Sequence, residues 1–232
     1  MATSLKILSG GAANGLVNAL RKEFKNHTSF EIDGDFGAVG GMFDRVIAGE
    51  SVDLVVLSHK LISDLKERAL LLSDTCCDVG RVITGFAVPE GHLPPRLGSL
   101  DEVRTALLES KAIYTADTKK ATAGIHFQSV LEKLEIFNRV ERNLCIFPNG
   151  QTAMAEMARQ KIQTALGCTQ VTEILNTPGV RWVGALPEGL DLTTIYSVGI
   201  HKDSQHKREA RALIELLTSP DHDHTRRSVG FS

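Results

Sequence analysis

Apolar positions along the chain follow two alternating periods. Short runs that alternate or stay apolar predict strands, and spacings of three and four behind them predict helices. "SLKILS" predicts a first strand, which stops at Ser9-Gly10-Gly11. Leu16, Ala19, Leu20 and Phe24 follow at helical spacing, within a helix expected over residues 15–25. "TSFEIDGDF" predicts a second strand with Phe30 and Ile32 on one face. Gly37-Ala38-Val39-Gly40-Gly41 reads as a small-residue turn, with a helix expected over residues 42–47. "SVDLVVLS" has four apolar residues in a row, as in a strand buried in a parallel sheet. It ends at Ser58-His59, and a helix is expected over 61–68.

The alternation continues. "RVITGFAVPEG" predicts a strand entering a proline loop. Ser99, with Glu102 three residues on, predicts a helix start by the capping-box pattern. "KAIYTA" predicts a strand, and "DTKKATAGIHFQSVLEKLEI" a polar turn and a helix. "NLCIFPNG" and "QTAMAEMARQKI" repeat the pair, as does "TALGCTQVTEIL". "GVRWVGALPEGL" and "TTIYSVGIHKD" are late strands, and "HKREARALIELLTSPD" is a helix stopped by Pro220. Strand, small-residue turn and helix in repetition predict an α/β fold with a parallel sheet. Ligands of such sheets gather at the carboxyl ends of the strands.

Composition narrows the partners. With 232 residues the chain can build one large domain or two lobes. A net charge of −2 with no long basic run, and only 5% aromatic residues, argue against nucleic acid. No stretch approaches the ~20 apolar residues that span a bilayer. The start "MATSLKILSG" has no basic region followed by an apolar core, so membrane insertion and secretion are not expected and the cytoplasm is. Cys76, Cys77, Cys145 and Cys168 have no zinc-site spacing and read as free thiols. His222 and His224, in "SPDHDHTRR", read as a solvated, tail-like turn rather than a metal site. Neither a metal nor a cofactor is expected.

Four strand-to-helix turns are alike: Ser9-Gly10-Gly11, Gly37-Ala38-Val39-Gly40, Thr122-Ala123-Gly124 and Asn149-Gly150-Gln151-Thr152. Thr169-Gln170 is a fifth candidate. None carries the Gly-Lys-Ser/Thr ending of a nucleotide loop or the dinucleotide glycine spacing. Small polar turns before helices expose N–H groups and hydroxyls, which suit a small anion. The same side chains also cap helices well.

These segments resemble a family. "GAVGGMFDRVIAGESVDLVVLS", "ATAGIHFQSVLEKLEI" and "TQVTEILNTPGVRWVGALPEGLDLTTIYSVGIHKDSQHKREARALIELLTSP" look like the molybdate-binding branch of the type 2 periplasmic solute-binding proteins. The resemblance implies two α/β lobes joined by crossing strands, with the ligand between them. Carried over, residues 1–82 plus 197–232 form one lobe and residues 83–196 the other, with crossings near 83–88 and 194–200. Molybdate binders offer serine hydroxyls from the first two turns. Here Gly15 (or Ala13) and Ala38-Val39 stand at the matching positions, and Gln170 stands near the place of a late tyrosine. Loss of those donors points from molybdate toward an organic carboxylate.

"TAGIHF" and "TQVTEI" also resemble a subgroup containing aconitate isomerases, which move a proton along an allylic tricarboxylate. Such chemistry needs a base, an acid and donors for developing charge. His59, His126 and Glu173 are the candidates for proton transfer. Ser9, Gly10, Gly11, Ala38, Val39, Ser58, Arg81, Thr122, Asn149, Thr152 and Gln170 are the candidates for holding the ligand. Arg81 would clamp a carboxylate at two points. Two functions compete: binding of a small anion, most readily a polycarboxylate, and isomerisation of an unsaturated acid. A transporter partner is expected only if the chain is exported.

Overall fold

The structure, a computed structural model, describes residues 3–232. In chain order its elements are β1 (Ser4–Gly10), a 3-10 turn (Gly11–Ala13), α1 (Asn14–Thr28), β2 (Glu31–Gly37), α2 (Val39–Ile47), β3 (Leu54–Ser58), α3 (His59–Glu67) and β4 (Cys77–Pro89). Then come α4 (Leu100–Glu109), β5 (Ala112–Ala116), α5 (Thr122–Lys133), α6 (Phe137–Val140), β6 (Leu144–Phe147), α7 (Gly150–Gln160), β7 (Ala165–Gln170) and α8 (Val171–Leu175). The chain closes with β8 (Val180–Ala185), β9 (Thr193–Ile200), α9 (Lys207–Thr218) and α10 (Asp223–Ser228).

The chain divides into two units. One runs from the N-terminus to Val82 and resumes from Thr194 to Ser232; the other is Ile83–Thr193. In the first, the strand order is β2-β1-β3-β9. β1 lies parallel to β2 and β3, and β9 closes the set antiparallel to β3. Leu54 to Leu57 are fully buried, because helices cover both faces of a parallel strand. Leu16, Val17, Leu20 and Phe24 bury the inner stripe of α1, which packs on α9 with its Leu213 and Leu217. Burying a side chain of the size of Phe24 contributes roughly 2–3 kcal/mol.

In the second unit the order is β4-β7-β5-β6, with β5 parallel to both β6 and β7. β4 is antiparallel to β7, and β8 pairs with β4 through a register shift at Phe86/Ala87. Phe86 and Phe127 meet edge to face at 6.5 Å in the main core. A smaller core of Tyr114, Met154 and Met157 lies under α7.

Several predicted boundaries move. α2 begins at Val39 and α3 at His59, so the small residues expected as turns already belong to first helical turns. α5 likewise starts at Thr122. The expected tail-like stretch after Pro220 is instead a 3-10 turn, Pro220–His222, followed by α10. Ser219 Oγ accepts the N–H of Asp221 and Arg226 donates to the carbonyls of Leu217 and Ser219, which gives this short segment its order. The cap at Ser99 is as predicted: its Oγ accepts the Glu102 N–H at 3.2 Å, while Glu102 reaches back to the N–H of Gly98. Ser99→Ala is expected to cost about 1 kcal/mol in urea unfolding. No measurable loss would show the cap to be dispensable.

Candidate functional site

Every candidate turn sits where a parallel strand ends and a helix begins. In the first unit β1, β2 and β3 end at Gly10, Gly37 and Ser58. Ser9 is fully buried and its hydroxyl donates to the carbonyl of Gly10. A Cβ at Gly10 would meet Val39 Cγ1 at 2.6 Å and Tyr196 Cε1 at 2.8 Å, so close packing itself demands glycine there. Gly11 opens the 3-10 turn and is buried. Ala38 is the extended residue before α2, and Val39 is its buried first residue. Ser58 stands in the same place before α3, with no cap bond from its hydroxyl, and pairs in register with Tyr196 of β9.

His59, directly after Ser58, is held by two residues distant in sequence. Its Nδ1 lies 2.8 Å from Asp78 Oδ1 and 3.2 Å from Ser197 Oγ. Ser197 Oγ donates to the same Asp78 oxygen at 2.6 Å. Partial burial pushes the Asp78 carboxyl up. Hydrogen bonds from Ser197 and His59, with the pull of His59 and Arg81, outweigh that and hold it below its ordinary range. Arg81 itself is exposed in β4, and its main chain pairs with Ser232 at 2.7 and 2.9 Å.

In the second unit β5, β6 and β7 end at Ala116, Phe147 and Gln170. Thr122 opens α5. His126, one turn on, donates Nε2–H to the carbonyl of Leu190 at 2.7 Å, tying α5 to the segment before β9. Asn149 caps α7: its Oδ1 accepts both the N–H and the hydroxyl of Thr152, at 2.8 and 2.9 Å. Both side chains thus perform the capping role that competed with ligand contact. Gln170 is buried at the junction of β7 and α8.

Glu173, in the first turn of α8, has only 6% of its surface exposed. Its carboxylate accepts the Thr169 hydroxyl at 2.5 Å and the Gly150 N–H at 3.2 Å. The N–H groups of Gln151 and Gln170 add to this. The N-terminus of α7 therefore already faces a carboxyl group supplied by the protein. Burial pushes the Glu173 carboxyl above its ordinary range despite those donors. Beside this network, the hydroxyls of Thr84 and Thr172 are buried and find no hydrogen-bond partner among the described residues. Thr84 is paired in register with Gln170.

Sequence reasoning missed Asp78 and Ser197. They lie 19 and 138 positions from His59, and no local spacing links them. Among the described residues no group of three or more His, Cys, Asp or Glu side chains could hold a metal ion. No helix there is long and apolar enough to cross a membrane.

Residues 5–232 match the model of a family described as bacterial extracellular solute-binding protein. An aconitate isomerase from a Pseudomonas species is 25% identical over 231 residues, covering 94% of this chain and 84% of that protein. The periplasmic molybdate-binding protein of Azotobacter vinelandii superposes with a TM-score of 0.80 at 15% identity, covering 99% of both chains. A sulfate-binding protein of Mycobacterium tuberculosis gives 0.76 at 15% identity, covering 99% of this chain and 86% of that one. The two-lobe α/β fold of the periplasmic binding proteins is thus shared across nearly the whole chain. With its family model matched from Leu5 to the last residue, the chain belongs to the bacterial extracellular solute-binding proteins.

Proposed function

We propose that this solute-binding protein takes a small organic polycarboxylate at its strand-end turns. One observation carries the reading most directly. The Thr84 and Thr172 hydroxyls are buried without a partner near a strand end, where a buried polar group needs a partner. Hydroxyls and N–H groups from the turns at Ser9, Ala38, Ser58, Thr122 and Gln170 would supply the rest. The neutral Ala38-Val39 turn favours a carboxylate over a tetrahedral oxyanion, which needs more hydroxyl donors.

A ligand bound only by the folded state raises its stability by about 2.7 kcal/mol at a hundredfold excess over Kd. For a chain of this size that is roughly 5–10 °C in Tm. Citrate, cis-aconitate and trans-aconitate are expected to give such a shift in a thermal scan, and molybdate, tungstate and sulfate none. A shift with molybdate alone would restore the oxyanion reading.

A second reading, isomerisation of an unsaturated acid, is favoured by a specific pair: His59 against the ionised Asp78. The aconitate isomerase relative supports the same direction. A cytoplasmic location is our placement, against the extracellular wording of the family description. Its support is that all four cysteines are free thiols, as suits a reducing compartment. A transporter partner belongs to the alternative, and recovery of the chain from the periplasmic fraction of cells would select it.

A further inference from the structure

The hydrogen bonds around His59 leave its imidazole one arrangement of protons. A carboxylate oxygen only accepts, so the single proton of Ser197 Oγ, 2.6 Å from Asp78 Oδ1, points to that oxygen. The serine then has no proton to offer His59. Nδ1 stands 2.8 Å from the same carboxylate oxygen and 3.2 Å from the serine oxygen, so it must carry a hydrogen shared between them. In the neutral ring the lone pair therefore sits on Nε2. The side chain is 59% exposed, at the first residue of α3, behind the carboxyl end of β3. A reactant can reach it there, and ligands of parallel sheets collect at such ends.

We propose that His59 accepts and returns a proton through Nε2, with Asp78 and Ser197 as its positioning pair. The substrate class is an acid with an allylic C–H next to a carboxylate. This rests on the isomerase reading. Nε2 takes the allylic proton, and the C–H electron pair forms a new double bond to the neighbouring carbon. The old double bond's pair moves to its far carbon, which takes the proton back from Nε2–H. The double bond has moved one place, the ring is neutral again, and nothing is oxidised or reduced. Asp78 faces the imidazolium while the proton is held there, and the serine keeps the carboxylate oriented.

Two measurements on the full chain test this. The first is a long-range 1H–15N spectrum of histidine-labelled protein at alkaline pH, which needs no ligand. His59 is expected with its hydrogen on Nδ1 in the wild type and in Ser197→Ala, and as a mixture of tautomers in Asp78→Asn. A hydrogen on Nε2 in the wild type overturns the proposal. The second follows interconversion of cis- and trans-aconitate. His59→Gln is expected to lose roughly 10²–10⁴-fold in kcat, and Asp78→Asn tenfold or more, with KM little changed. An active wild type whose rate survives His59→Gln overturns the proposal alone. A wild type inactive on both acids, with the hydrogen on Nδ1, sinks the isomerase reading and the catalytic role with it.

Discussion

Gly150→Ala is expected to lose about 3 kcal/mol or more of stability, with any ligand response lost alongside. A Cβ at this position would overlap both Thr169 Oγ1 and Glu173 Oε2. Neither atom is the free end of a flexible chain. The two are bonded to each other at 2.5 Å, and Glu173 is also bonded to the Gly150 N–H. Overpacking a tight site costs about 1–3 kcal/mol by itself. Here the displaced group is a buried carboxylate, whose lost donors add to that cost. Urea unfolding of the variant against wild type measures the sum. A loss below about 1 kcal/mol would mean that α7 shifts away cheaply and that the contact is loose.

Glu173→Ala is expected to cost a similar amount, about 3 kcal/mol, for the opposite reason. It leaves the N–H groups of Gly150, Gln151 and Gln170 and the Thr169 hydroxyl without their shared acceptor. The double variant with Gly150→Ala should cost clearly less than the two together, since alanine at 173 makes room for the new Cβ. Glu173→Gln separates charge from shape. Burial raises the carboxyl in the folded state, so the folded chain binds that proton more tightly than the unfolded one. The resulting stability is complete below the ordinary glutamate range and is lost as pH rises through the raised folded value. Glutamine cannot titrate. The advantage of wild type over Glu173→Gln should therefore be greatest in acid and narrow as pH rises. An advantage that widens with pH would show that the donors win and hold the group ionised.

The alternation of strands and helices was legible because period two and period 3.6 differ plainly in segments such as "SVDLVVLS" and "HKREARALIELLTSPD". Boundaries were less so. Val39-Gly40-Gly41 has poor helix propensity, yet the contact of Val39 with Gly10 and the burial of Met42 fold it into α2. The strand-end turns were recognisable from their small residues. What each side chain does there was not. Asn149 and Thr152 engage each other, His126 engages a backbone carbonyl, and Glu173 caps a helix that starts 23 residues earlier. Those roles depend on which strands become neighbours, and pairing brings Asp78 and Ser197 to His59 over separations that no local pattern records.

The division of the chain also orders its synthesis. The segment Ile83–Thr193 is continuous and leaves the ribosome whole, whereas the unit before it cannot be completed until Thr194 and the residues after it arrive. Until then β3, with its fully buried Leu54–Leu57, has no β9 to cover its open edge. Closing a gap of about 110 residues costs chain entropy that grows only with the logarithm of the gap. A folded insert holds the two ends near each other and removes most of even that cost. The nascent chain is thus most exposed to edge-to-edge aggregation in the interval between the end of β3 and the appearance of β9.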